Sequence, residues 1–362
     1  MTGVRISCWI VLGWAWAIAA NGLAGSLPAA PPSSEPWPPG HVVIVEEPGA
    51  TVRFEPVAER VAAMVNRGVT LVTGQPSPRA AWLSLVSPAD VVGLKVVSAP
   101  GPICGTRPST VAAVIRGLLD AGLPATNIVI WDRRLMDLRA AGYDDMARRF
   151  GIRLAGSLDE GYDERVFYDR PLLGQLLWGD LEFGRHGDGI GRKSFVSRLV
   201  SRQLTKIINL PPLLNHNQAG VVGALYSLAH ASVDNFNRFE SAPGQLASAV
   251  PEIYALPEVG DKVVLHIIDA LICQYLGEDR TLLHYAVALD QLRFSRDPVA
   301  LDILSLNELA HQRRQSGLEP RPARLELYQN AALLELGCAS ERLIQIERAR
   351  PQTGIIQRPI DR

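Results

Sequence analysis

Asp90-Val91-Val92-Gly93-Leu94-Lys95-Val96-Val97, followed by the loop from Ser98 to Arg107, the segment Pro108 to Ala121 and then Asn127-Ile128-Val129-Ile130-Trp131, decides the fold class. The first and last runs are short, β-branched and apolar, as buried strands are. Between them, Val111, Val114, Ile115 and Leu118 recur at helical spacing, Pro108 opens the segment and Gly122 closes it. Strand, helix and strand at this spacing make a βαβ unit, which requires a parallel strand pair. The expected architecture is therefore α/β, with a mainly parallel or mixed sheet flanked by helices.

Outward from this unit, Val42 to Val45 reads as a first strand and Pro56 to Asn66 as a helix. A proline-rich turn precedes Asp90. Lys206 to Leu210 and Lys262 to Asp269 read as further buried strands, and helices are expected over 217–230, 244–255, 298–315 and 328–336. Residues 180–195 (DLEFGRHGDGIGRKSF) form a polar, glycine-rich insertion. Its GDGIGRKS stretch fails the Walker pattern, because the lysine does not follow the final glycine directly and no strand precedes it.

The chain has 362 residues, 47% of them hydrophobic, enough for a sizeable core in one large domain over 41–350. Thirty-six basic against 37 acidic residues leave no overall field that would draw it to nucleic acid or an acidic membrane. Arg5 precedes an uncharged run from Ile6 to Ala20, and small residues follow up to Ser26. That layout fits a secretory signal over 1–25, with export to the periplasm or outside the cell. The alternative is an uncleaved anchor, which the shortness of the run opposes. Residues 26–40 are too proline-rich to fold and form a linker. With Cys8 in the leader, Cys104, Cys273 and Cys338 remain, as one disulfide plus a thiol or as three thiols. No CxxC pair exists, so no iron–sulfur cluster is expected.

Three constellations carry candidate chemistry. Lys95 is a cation inside an apolar strand and must meet a negative partner when dehydrated. The loop after it ends in Thr106 and Arg107 at a helix start, where free N–H groups and a guanidinium suit a phosphate or carboxylate. Asp132 ends the next strand and should share the loop's edge of the sheet, as a partner of Lys95 or Arg107 or as a metal ligand. Second, Asn209 and His216 flank a proline loop entering a helix, and His216 is a candidate for proton transfer or metal binding, or a simple cap. Third, Asp269, Asp297 and Asp302 are carboxylates that could converge on a divalent cation, although Asp297 before Pro298 also reads as an N-cap. Cys104 beside Arg107 could be a low-pKa thiol, but no histidine pairs with it in the sequence. The expected ligand is a small anionic molecule, held by Lys95 and Arg107 while His216 moves a proton; the alternatives are a non-catalytic ligand-binding protein and a structural envelope protein.

The order of these pieces resembles the family catalogued as Domain of Unknown Function 362. The likeness runs over about 90–337, through Val92-Gly93-Leu94-Lys95, Thr106-Arg107-Pro108, Ile128-Val129-Ile130-Trp131-Asp132, Ile207-Ile208-Asn209-Leu210-Pro211, His216, Gly223-Ala224-Leu225, Ile268-Asp269 and Asp297-Pro298-Val299-Ala300-Leu301-Asp302. The resemblance implies Lys95, Asp132, Asn209, His216, Asp269, Asp297 and Asp302 as site positions. The family shows Lys-Pro-Asn at 95–97, and its lysines at the positions of Leu214 and Tyr226 are missing here. Some members append ferredoxin-like cysteine motifs, which this chain lacks.

Overall fold

The structure is a computed structural model that describes residues 39–170, 192–240, 244–319 and 325–351. The expected leader and most of the linker lie outside the described residues, as does most of the glycine-rich insertion. Two edges of those expectations change. Gly40 is buried and its N–H donates to Asp297, so it belongs to the domain and not to the linker. Lys193–Ser197, the end of the expected insertion, is a strand.

In chain order the first half comprises β1 (His41–Glu46), the small hairpin β2 (Thr51–Val52) and β3 (Glu55–Pro56), and the helices α1 (Ala58–Thr73) and α2 (Pro78–Leu85). It continues with β4 (Val92–Val96), α3 (Gly101–Cys104), α4 (Pro108–Ala121), β5 (Ile128–Asp132), α5 (Leu135–Ala140), α6 (Tyr143–Phe150), β6 (Arg153–Gly156), α7 (Ser157–Glu160) and β7 (Tyr162–Asp169). The second half holds β8 (Lys193–Ser197), β9 (Lys206–Leu210), β10 (Pro212–His216), β11 (Gly220–Val221), α8 (Ala224–Ser232), α9 (Asn237–Glu240) and α10 (Gln245–Tyr254). It ends with β12 (Val263–Gln274), β13 (Ala286–Ser295), α11 (Pro298–Gln315), α12 (Glu326–Leu333) and β14 (Gln345–Ala349).

One mixed sheet runs in the order β14, β1, β13, β12, β9, β4, β5, β6, with β10 beside β12 and β11 beside β10. The β4–β5, β5–β6, β4–β9 and β9–β12 pairs are parallel, as the βαβ reading requires. The antiparallel partner β13, between β1 and β12, makes the sheet mixed. Every residue of β4 and β5 is buried because helices cover both faces. On one face α1, α2 and α4 pack over Val92, Leu94 and Ile130; on the other α8, α10 and α11 pack over Ile207, Ile268 and Trp131. Among the described residues no helix is long and apolar enough to cross a membrane.

Three expectations need correction. The proline-rich turn before β4 contains α2, because Pro78 sits in the first helical turn, where its missing N–H costs nothing, and Ser77 accepts from Ala80 N at 3.2 Å. β12 extends to Gln274, beyond Asp269, because its second half pairs with both β10 and β13. The helix expected from 217 starts only at Ala224; β11 occupies the intervening hairpin.

Helix α4 approaches α2 so closely that a Cβ on Gly117 would lie 2.2 Å from Trp82 Nε1. Alanine at an exposed helical site gains about 1 kcal/mol over glycine. Here the buried Trp82 ring must shift, and overpacking costs about 1–3 kcal/mol. Gly117→Ala should therefore destabilise the domain in urea unfolding; a stabilised variant would contradict this packing.

Candidate functional site

Parallel register sets Lys95 of β4 opposite Trp131 of β5 and opposite Asn209 of β9. Lys95 is 1% exposed, and its ammonium lies 3.1 Å from Asp132 Oδ1 at the end of β5. It also donates to the carbonyl of its neighbour Val96. Burial pulls the Lys95 ammonium below the usual lysine range, and the Asp132 carboxylate opposes that pull. Burial alone would raise the Asp132 carboxyl, but Lys95 and three donors outweigh it and hold it below the ordinary carboxylate range. Those donors are Ser98 N at 2.8 Å, Ser98 Oγ at 2.6 Å and Arg133 N at 2.8 Å. The pair thus ties the loops after β4 and β5 together at the carboxyl ends of the strands.

Above this pair lies a cavity of about 370 Å³. Lys95 and Asp132 are in its lining, and so is His216, the last residue of β10. His216 is not at a helix start as expected. Its Nδ1 accepts from Ala219 N at 3.0 Å and Gln218 N at 3.3 Å, which leaves the ring proton of the neutral form on Nε2. Burial lowers its pKa, while Glu240 and Asp279 pull the other way.

Of the remaining lining, Ala99 and Pro100 belong to the expected loop, and Tyr226 was marked only as a position where the resembled family carries a lysine. Tyr226 and His230 come from α8, and His216, Tyr226 and His230 form a ring stack: Tyr226 lies 4.1 Å from His216 and 5.5 Å from His230, centroid to centroid. Phe236 braces His230 edge-on at 5.1 Å. Burial drives His230 well below the ordinary histidine range, helped by the positive charge of Arg133. Arg133, Arg134 and Asp137 line the wall that follows β5, and Glu240, Glu278 and Asp279 the wall from α9 and the β12–β13 loop. Glu278 adopts a left-handed backbone, φ 54°, yet is anchored twice: its N–H donates to Asn215 Oδ1 and its carboxylate accepts from Asn217 N at 2.6 Å. The Asp132-Arg133-Arg134 run at a strand end was the available signal for one wall. Nothing in the sequence joins Glu240 or Glu278 to it.

The other expected site residues are elsewhere. Arg107 is 1% exposed, and its Nη1 bonds Asp269 Oδ1 at 2.9 Å while Nη2 bonds Ile272 O at 3.0 Å. Asp269 also accepts from Arg107 N and Thr110 Oγ1, each at 3.0 Å. The anion at the start of α4 is thus the protein's own carboxylate. Thr106 spends its hydroxyl on Leu210 O and Val97 N, stitching the loop to β9. Neither Thr106 nor Arg107 faces the cavity.

Asn209 is buried and serves as a bracket. Its Nδ2 donates to Ala224 O at 2.9 Å, which orients the amide, and to His266 Nδ1 at 3.2 Å. His266 Nδ1 is therefore an acceptor, and the proton on Nε2 points at Tyr254 Oη, 2.9 Å away. Asp297 caps α11 through Ala300 N and accepts from Gly40 N and Cys338 N, each at 2.8 Å. Asp302 accepts from Ala224 N and Leu225 N, so it caps α8, the helix that carries Tyr226 and His230. Gly223 must be glycine there: its φ is 45° and a Cβ would lie 2.2 Å from Asp302 Oδ1. Asp269, Asp297 and Asp302 each hold backbone groups in different places. Among the described residues no three His, Cys, Asp or Glu side chains gather as a metal site. Burial raises the Cys104 thiol, against the low-pKa expectation, and Cys104, Cys273 and Cys338 are all free.

No family model matches the chain, and no curated protein matches it. Among solved structures, a crystal structure of a Thermotoga maritima protein from a structural-genomics programme is 11% identical with a TM-score of 0.41. The match covers 73% of this chain and 60% of that one, so this chain spans about three-fifths of its length.

Burial brings the His266 pKa down to about 3. Between the unfolded histidine value and that figure, the unfolded chain binds a proton that the native chain refuses. Stability therefore falls as pH drops from about 6.5 to about 3, by up to ~1.4 kcal/mol per pH unit for this group. His230 and His216 act with the same sign. His266→Gln should flatten the acid limb of unfolding free energy against pH by one proton's worth, and an unchanged slope would contradict a locked neutral His266.

Proposed function

We propose that this chain binds a small polar ligand carrying a carboxylate or phosphate in the cleft above the carboxyl ends of β4, β5 and β10. Lys95 and the Arg133–Arg134 wall meet the anionic group, and neutral His216 donates to it from Nε2. The observation that carries this reading is the buried Lys95–Asp132 pair beneath two histidines held neutral in one cavity. Its size is within the usual range for small-ligand sites, and its position is where open α/β sheets place them. Lys95 has three donors, Asp132 and Val96 take two, and the residue is part of the cleft lining. The Nε2 proton of neutral His216, set by the two backbone donors at Nδ1, suits it to donate a hydrogen bond to negative charge on the ligand.

The resemblance to the Domain of Unknown Function 362 family belongs to the same proposal, as a diverged member. The two positions where that family carries lysines, Leu214 and Tyr226, both line this cleft. Their replacement favours a second reading, a binding protein that retains the pocket without the family's chemistry. Export by the N-terminal segment completes the proposal, and the short uncharged run Ile6 to Ala20 after Arg5 supports it.

Thermal shift and calorimetry with inorganic phosphate and simple carboxylates test the site. A ligand at about 100 times its dissociation constant stabilises by about 2.7 kcal/mol. Stabilisation should appear in wild type and weaken about tenfold in affinity for Arg134→Gln, an exposed residue whose loss leaves the fold intact. No stabilisation by any probe would overturn the reading. Turnover lost in His216→Asn with binding kept supports catalysis, and binding without turnover supports the second reading.

A further inference from the structure

The two walls of the cleft differ in charge. On the β5–α5 side, Lys95, Arg133 and Arg134 stand with Asp132 and Asp137, a set with one cation in excess. On the opposite side the lining holds Glu240, Glu278 and Asp279, three carboxylates with no lysine or arginine beside them among the described lining residues. The ring stack runs between. His230 lies in the field of Arg133, Asp132 and Lys95, whereas His216 faces Glu240 and Asp279, and Tyr226 separates the two rings.

The acidic wall is built around Glu240 and Glu278, both of which are tied into the cleft. Tyr226 Oη donates to Glu240 Oε1, and Gln218 Nε2 donates to the Glu240 carbonyl at 2.7 Å. Glu278 is fixed through Asn215 and Asn217, which flank His216 in the β10–β11 hairpin. Asp279 follows Glu278 in the same loop. Such hydrogen bonds leave the second oxygen of Glu240 and of Glu278 beyond these partners. A purely anionic ligand would meet one attractive and one repulsive wall, and like-charge juxtaposition costs affinity.

We infer that the ligand is dipolar, a small molecule with an anionic group at one end and a protonated amine at the other, as in an ω-amino acid. Its anionic end lies against Lys95, Arg133 and Arg134, and its ammonium against Glu240, Glu278 and Asp279. This rests on the small-ligand reading above and adds the cationic end to it. The ring stack sets the distance between the two ends, so affinity should depend on the length of the chain that joins them.

Calorimetry on the full chain with ω-amino acids of increasing length, each compared with the carboxylate and the amine of equal length, tests the inference. One amino acid, δ-aminovalerate or a near homologue, should bind about tenfold or more tightly than its matched carboxylate and its matched amine. The double change Glu278→Gln with Asp279→Asn should bring the amino acid to within about twofold of the carboxylate, while the carboxylate's own affinity stays equal or rises. A carboxylate that binds as tightly as its amino acid overturns the dipolar ligand and leaves the anion-binding cleft standing. An amine that binds as tightly as its amino acid overturns it as well. If no probe of any class binds, the cleft itself is not a small-ligand site and both readings fall.

Discussion

A lysine ammonium and an aspartate carboxylate, 3.1 Å apart and almost wholly removed from water, constrain the loops on which the cleft rests. Each charge alone would cost several kcal/mol to dehydrate, so neither is tolerable without the other and without the hydrogen bonds around them. Meeting that demand fixes the backbone on both sides. Ser98 and Arg133 must present their N–H groups to Asp132, which shapes the loops after β4 and β5. Those loops are the floor and one wall of the cleft. The parallel register of β4 and β5 makes the encounter possible, since Lys95 and Trp131 are level and Asp132 is one residue further on.

The same economy explains the acids that do not form a metal site. A buried carboxylate that accepts several backbone N–H bonds is already satisfied. Asp269 answers Arg107 and the start of α4; Asp297 anchors Gly40, Cys338 and the start of α11; Asp302 anchors the start of α8. Asp302 nonetheless bears on the cleft, because α8 carries two of the three stacked rings. Burial raises its pKa to about 7, against the two backbone bonds that favour its charged form. The raised value means that its contribution to stability is greatest in acid and is lost as pH climbs through about 7, the opposite sign to His266.

The scaffold was legible where local pattern and tertiary burial agree. The βαβ unit, β9, and the helices α10 and α11 follow from short apolar runs and helical spacing, and Lys95 with Asp132 follows from one lysine in an apolar strand beside one acid at a strand end. What escaped was set by long-range pairing. β13 is only half-buried over much of its length, so its composition does not mark it, and it exists because β1 and β12 both pair with it. Arg107 carried the right chemistry at the right helix start, yet its anion is Asp269, 162 residues away. His216 drew attention by itself, but Tyr226, His230, Glu240 and Glu278 join it only through the turn of α8 and the β12–β13 loop. No spacing rule in one chain encodes that convergence.

The central claim is that Lys95 and Asp132 are buried as a mutually dependent pair, and a double-mutant cycle measures that dependence directly. Lys95→Met and Asp132→Leu should each destabilise the domain by about 3–5 kcal/mol, because each strands a dehydrated charge. The double variant should cost less than either single change, so the coupling should exceed about 3 kcal/mol. Single changes that cost under about 1 kcal/mol and simply add would mean a hydrated surface pair, and the floor of the cleft would not be what it is described to be.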